Sequence, residues 1–102
     1  MKLVTRPQFY LDVAAEVEYL ATKAGAATAR RWSESVRETV RELRRQPELG
    51  RLRGDLQPPG IRSWRVQRFP RWLIFYAVQP GALVLLRVRY GSMDLPALEF
   101  PI

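Results

Sequence analysis

The chain has 102 residues, with 17 Lys+Arg against 10 Asp+Glu, a formal net charge of +7 and a pI near 10.8. A single core typically serves about 100 to 150 residues, so residues 1–102 are expected to form one domain and a two-domain enzyme is excluded. With 47% hydrophobic residues intrinsic disorder is excluded too, and the lack of any cysteine or histidine removes thiol nucleophiles, disulfides and the usual zinc ligands.

Lys2 to Arg6 alternate weakly and stop at Pro7, which predicts a short strand leading into a helix with proline in its first turn. Phe9, Val13, Val17, Leu20 and Ala21 then recur at spacings of three and four, widened by Tyr10 and Ala14. This is the stripe of an amphipathic helix whose solvent side is expected to carry Asp12, Glu16, Glu18 and Lys23. Gly25 is its expected stop, and Thr28, in the link Ala26-Ala27-Thr28, is the expected N-cap of a second helix. That helix places Trp32, Val36, Val40 and Leu43 on one side and interleaves Glu34, Glu38 and Glu42 with Arg37, Arg41 and Arg45 on the other. Opposed ladders of this kind support a helix by a few tenths of a kcal/mol per pair, about the worth of a surface ion pair. Gln46-Pro47 and Gly50 end it.

Residues 51–60, with two glycines and two adjacent prolines, form the one evident loop. Ile61 to Val66 alternates like a strand. Trp72 to Val78 is almost continuously apolar, as in a strand covered on both faces. Gln79-Pro80-Gly81 supplies a hairpin turn, and Leu83 to Tyr90 alternates again, with Leu83, Leu85, Arg87 and Arg89 expected on one face. The fold class is therefore α+β: a short N-terminal strand and a two-helix antiparallel hairpin packed on one face of a small antiparallel sheet. No apolar run reaches the roughly 18 to 20 residues that cross a bilayer, and Arg6 and Pro7 interrupt any signal-type core, so a cytoplasmic protein without a membrane partner is expected.

The positive charge is unevenly placed. Residues 1–50 hold 9 basic and 7 acidic residues, residues 51–90 hold 8 arginines and only Asp55, and residues 91–102 hold two acids and no base. If the strands pair as a meander, Arg62, Arg65, Arg68, Arg71, Arg87 and Arg89 converge into a surface for an anionic target or partner, since the guanidinium fork suits phosphate and carboxylate. Trp64, Trp72 and Tyr90 are interleaved with them, as core residues or as stacking platforms for bases. The glycines match no phosphate-binding loop, Asp12 and Glu16 read as a solvated helix face, and Asp94 reads as a turn cap or an arginine partner. No cofactor, metal or small-molecule substrate is expected.

The order of elements, together with Arg62-Ser63-Trp64-Arg65-Val66, Trp72-Leu73-Ile74-Phe75-Tyr76 and Leu86-Arg87-Val88-Arg89-Tyr90-Gly91-Ser92-Met93-Asp94-Leu95, resembles the ParE branch of the RelE/ParE toxin superfamily, and the resemblance covers nearly the whole chain. The branch typically carries an "IFY" strand and a last strand reading hydrophobic-Arg-Val-x-His-Gly-x-x-Asp; here the histidine is Tyr90, and an arginine often found three residues later is Met93. The resemblance implies the toxin of a bacterial type II toxin–antitoxin pair, of the kind that stabilises plasmids and inhibits growth, held inactive by an antitoxin whose C-terminal segment wraps over helices and sheet. An acidic antitoxin is expected to bind a groove at Trp32, Val36, Val40 and Leu43.

ParE-like members are described as poisoning DNA gyrase, whereas RelE-like members cut messenger RNA on the ribosome. A nuclease needs a base, a cation at the phosphorane-like transition state and an acid. The set on offer for a RelE-like reaction is Arg65, Arg87 and Tyr90. A tyrosine, with a free pKa of about 10, is a poor base at neutral pH, and the chain has just two lysines, Lys2 and Lys23. No catalytic residue is therefore assigned, and the gyrase reading is preferred. A ribosome-dependent endoribonuclease and a small basic nucleic-acid-binding module remain as alternatives.

Overall fold

The computed structural model describes residues 1–91 and 100. The elements run β1 (Lys2–Thr5), α1 (Pro7–Ala24), α2 (Ala26–Arg45), β2 (Arg51–Leu52), β3 (Ile61–Val66), β4 (Phe69–Gln79) and β5 (Ala82–Tyr90). The five strands form one sheet in the order β1-β5-β4-β3-β2. The two helices pack together on one face of it, as the α+β expectation requires. Strands β2 to β5 are antiparallel; β1 runs parallel to β5, with Leu3 opposite Leu83 and Thr5 opposite Leu85, so the sheet is mixed. The helical hairpin carries the chain away from β1, and the β3–β4–β5 meander returns beside it. Among the described residues no helix is long and apolar enough to cross a membrane.

The two helices are nearly contiguous. Gly25, at φ 94°, is a backbone conformation that L side chains rarely adopt, and it serves as the end of α1 and the start of α2. The expected link at 26–28 is thus helical; Thr28 lies inside α2, where its Oγ1 accepts from Arg31 at 3.3 Å instead of capping the helix. The 51–60 loop contains one short strand, because Arg51 and Leu52 pair with Ser63 and Arg62.

Apolar side chains fill both faces of the sheet. On the helix side Phe9, Leu20, Trp32, Val36 and Leu43 pack on Val66, Ile74, Tyr76, Leu83, Leu85 and Val88. On the outer side Leu56 from the loop and Phe100 cover Ile61, Phe75, Ala77, Val84 and Leu86, which explains the unbroken apolar run in β4. Tyr76 links the layers: its buried hydroxyl donates to the Pro47 carbonyl at 2.7 Å and accepts from the Gly50 amide at 2.8 Å. A Cβ at Gly50 would stand 2.5 Å from that hydroxyl and 2.8 Å from the Ser63 carbonyl oxygen, so this turn needs glycine.

One irregularity redirects β5. Its register against β4 slips between Phe75, opposite Arg87, and Tyr76, opposite Leu85, leaving Leu86 as the extra residue of a bulge. Val88 therefore joins Leu83 and Leu85 in the helix-side core. The simple alternation that placed Leu83, Leu85, Arg87 and Arg89 on one face does not survive the bulge.

Candidate functional site

The expected solvent face of α1 is the first correction. Asp12 is 7% exposed and Arg87 likewise 7%. Arg87 Nε donates to Asp12 Oδ2 at 2.8 Å and Nη2 donates to Oδ1 at 3.1 Å, a two-pronged buried ion pair. The Val88 amide also donates to Asp12 Oδ2 at 3.2 Å, and Gln8 Nε2 to Oδ1 at 3.4 Å. The location explains the need. Pairing of β1 along β5 ends at Leu85, whose carbonyl accepts from the Arg6 amide, so beyond it the β5 edge has no strand partner among the described residues. Asp12 takes the place of that partner. One turn later Glu16 Oε2 accepts from Trp72 Nε1 at 3.1 Å. Glu18 and Lys23 are exposed as expected, and the exposed side of α1 also carries Tyr10 at 64%, Leu11 at 61% and Tyr19 at 56%.

The six arginines of the expected cluster do not converge. Arg62 donates to the Gly50 carbonyl at 2.6 Å and the Glu48 carbonyl at 3.4 Å, closing the loop after α2. Arg68, at φ 66° in the β3–β4 turn, pairs with Glu38 of α2 at 2.8 Å. Arg71 donates to the Tyr90 hydroxyl at 3.4 Å, and Arg87 is held by Asp12. Arg65 and Arg89 do share a rung, opposite each other across Leu73 of β4. Two arginines that the sequence placed in a loop stand near Arg65 instead: Arg51, Arg53 and Arg65, with Ser63, Pro70 and Leu73, line a hollow of about 380 Å³ on the outer sheet face. The exposed Arg65 guanidinium lies 4.4 Å from the Trp64 ring centroid.

Within that hollow Arg53 is buried, donating from Nε and Nη2 to Asp55 at 2.9 and 2.7 Å and from Nη1 to the Ser63 hydroxyl at 3.1 Å. The Arg53 hydrogen bonds hold the Asp55 carboxyl at a pKa of about 2, below its ordinary 3.8. A depressed carboxylate pKa stabilises the fold above the unfolded value, and that contribution is lost as pH falls through the folded one. Asp55 should therefore titrate near pH 2 by side-chain NMR, with the Arg53 contact intact at pH 4. A midpoint near 3.8 would show that the contact does not hold in solution.

The tryptophans are committed to the helical layer as well. Trp64 Nε1 donates to Glu42 Oε1 at 3.3 Å, and Trp72 meets Trp32, Phe69 and Tyr90 edge-on, with ring centroids 6.3, 6.2 and 5.0 Å apart. Tyr90 is half-buried at the end of β5. For a RelE-like reaction Arg65, Arg87 and Tyr90 are thus differently disposed: Arg65 is exposed on β3, Arg87 is enclosed with a carboxylate, and Tyr90 packs on Trp72. Asp94 lies outside the described residues.

Of the expected groove residues, Trp32 and Leu43 are completely buried in the core. Val36 and Val40 are buried too, yet they border an open groove of about 410 Å³ between α1, α2 and the β1 edge. Leu3, Thr5 and Leu85 contribute from the sheet, Phe9, Tyr10 and Val13 from α1, and Arg37, Arg41 and Arg44 from α2. Those three arginines are exposed, at spacings of four and three along one helix. Arg44 also donates to the Met1 carbonyl at 2.8 Å, tying α2 to the start of β1. Among the described residues no group of three or more His, Cys, Asp or Glu is placed to hold a metal ion.

A family model described as "ParE toxin of type II toxin-antitoxin system, parDE" matches residues 3–95. The chain belongs to this toxin family. Its fold is also that of a solved structure titled "Chromosomal ParDE TA system from P. aeruginosa", superposing with a TM-score of 0.76 over 90% of this chain and 97% of that one at 20% identity. A search of the curated proteins found no match. The family's region runs from β1 through the bulged β5, so the groove, the Asp12–Arg87 pair and the outer-face arginines all lie within it.

Proposed function

We propose that this protein is a cytoplasmic toxin that inhibits DNA gyrase when free and is neutralised when an acidic amphipathic segment of its cognate antitoxin fills the groove between α1, α2 and β1. The observation that carries the neutralisation is the groove's chemistry. An apolar floor of Leu3, Phe9, Val13, Val36 and Val40 is bordered on one side by Arg37, Arg41 and Arg44, which suits a helix with apolar anchors one turn apart and carboxylates along its flank. Among the described residues β1 is an edge strand at the same opening, so a partner there also covers that edge.

The gyrase reading is favoured over message cleavage by the state of Arg87. A guanidinium held on two prongs by a buried carboxylate is already neutralised, and drawing it toward a phosphate would strand Asp12. Arg65 and Arg89, with the exposed Arg51, are the cations proposed to face an anionic target. The purified toxin is expected to block gyrase supercoiling of plasmid DNA and to lose that effect on addition of the antitoxin. Intact supercoiling together with cleavage of ribosome-bound message would replace this reading with the nuclease one.

A further inference from the structure

Farther along α1 than the groove, Glu16, Tyr19, Trp72 and Tyr90 line a pocket of about 340 Å³. We propose that this pocket is a receptor for a basic side chain, arginine or lysine, presented by a partner protein. The inference is independent of the gyrase and antitoxin assignments.

Three properties of the pocket carry it. Its walls are aromatic and mutually perpendicular: the Trp72 and Tyr90 rings stand at 84° with centroids 5.0 Å apart, so a guest in the angle between them meets two π systems. The wall does not move easily, because Trp72 is also held edge-on by Trp32 and Phe69. One carboxylate is built into the lining. Glu16 accepts the Trp72 indole N–H on Oε2, which orients the group while a carboxylate retains further acceptor sites for a cation. Finally, Tyr19 is 56% exposed one turn beyond Glu16, available to close over an alkyl stem.

The same lining disfavours other guests. A phosphate or carboxylate would meet Glu16 and the negative ring faces, and a purely apolar side chain would cover a carboxylate without compensating it. A guanidinium or ammonium on a hydrocarbon stem satisfies both the rings and the acid. The exposed Arg71, whose Nη1 donates to the Tyr90 hydroxyl at 3.4 Å, is a like charge outside the lining, so the attraction for a basic guest has to come from Glu16 and the ring faces.

The test uses the purified 102-residue chain, titrated with N-acetyl-arginine methylamide and with the uncharged isostere N-acetyl-citrulline methylamide. The readout is the NMR signal of the Trp72 indole N–H, identified by its loss in Trp72→Phe. The arginine probe is expected to shift this signal saturably and to bind about tenfold more tightly than citrulline. Glu16→Gln keeps an acceptor for the Trp72 indole and should abolish that preference. Tyr90→Leu should weaken the arginine probe roughly three- to tenfold. Equal binding of the two probes, an undiminished preference in Glu16→Gln, or no saturable shift in the folded wild-type chain would overturn the proposal. Should Tyr90→Leu fail to fold, the Glu16→Gln comparison decides alone.

Discussion

Asp12→Ala should destabilise the protein by about 3 to 5 kcal/mol, because it leaves the Arg87 guanidinium buried without its carboxylate. A domain of about 100 residues loses roughly 4 to 8 °C of melting temperature per kcal/mol. The variant should therefore melt at least about 12 °C below the wild type, if it folds at all. Part of the loss comes from the backbone, since the Val88 amide also gives up its Asp12 acceptor. The cost measures a broken pair, and the net worth of the intact pair is smaller. A double variant, Asp12→Leu with Arg87→Met, removes both charges together and should recover much of the stability of Asp12→Ala, as apolar replacements of buried pairs often do. Thermal melts of the two variants beside wild type check this. Loss of less than about 1 kcal/mol in Asp12→Ala would mean that the pair is solvated in solution.

Reversing charge along the groove should separate toxicity from its control. Arg37→Glu, Arg41→Glu and Arg44→Glu together place three carboxylates where the proposed acidic antitoxin segment docks, and like-charge juxtaposition at an interface costs several kcal/mol. Antitoxin affinity should fall at least about a hundredfold near 0.15 M salt, and cells co-expressing antitoxin should no longer be protected. All three side chains are exposed, so the penalty to folding comes from neighbouring charges on α2, at tenths of a kcal/mol per pair, and from the exposed Arg44 hydrogen bond to the Met1 carbonyl. Wild-type affinity should itself decline as salt rises, because these rim charges are screened. A triple variant that remains fully neutralised would move the antitoxin site away from this groove.

Both expectations depend on assigning charges to the correct faces, and here the sequence is only partly legible. Asp12 and Glu16 read as a solvated pair because carboxylates on an amphipathic helix usually are. Yet Phe9, Asp12, Glu16 and Leu20 are spaced three, four and four apart, so the two acids sit within the buried stripe. That spacing was the available signal, and it raises the question of which cation meets them. The answer lies 75 residues away for Asp12, on a strand whose phase is changed by the bulge at Leu86. The glutamate ladder on α2 misleads similarly: Glu38 reaches Arg68 and Glu42 reaches Trp64 and Gln67, all beyond the helix. Of the expected groove residues, Val36 and Val40 border the open groove, whereas Trp32 and Leu43 are completely buried in the core.

The linear chain contains enough to set the order of elements, the span of β3, the pairing of helices against a meander and membership of a toxin family. Those features rest on local periodicity, on proline and glycine at the boundaries and on short motifs, all read within a few residues. Which charges are free to meet a partner was decided in three dimensions. It turns on where β1 stops pairing, on a single inserted residue in β5 and on carboxylates brought to arginines from distant elements. The 17 basic residues are thereby sorted: Arg53, Arg68 and Arg87 are paired with carboxylates, and Arg37, Arg41 and Arg44 stand exposed beside an open groove.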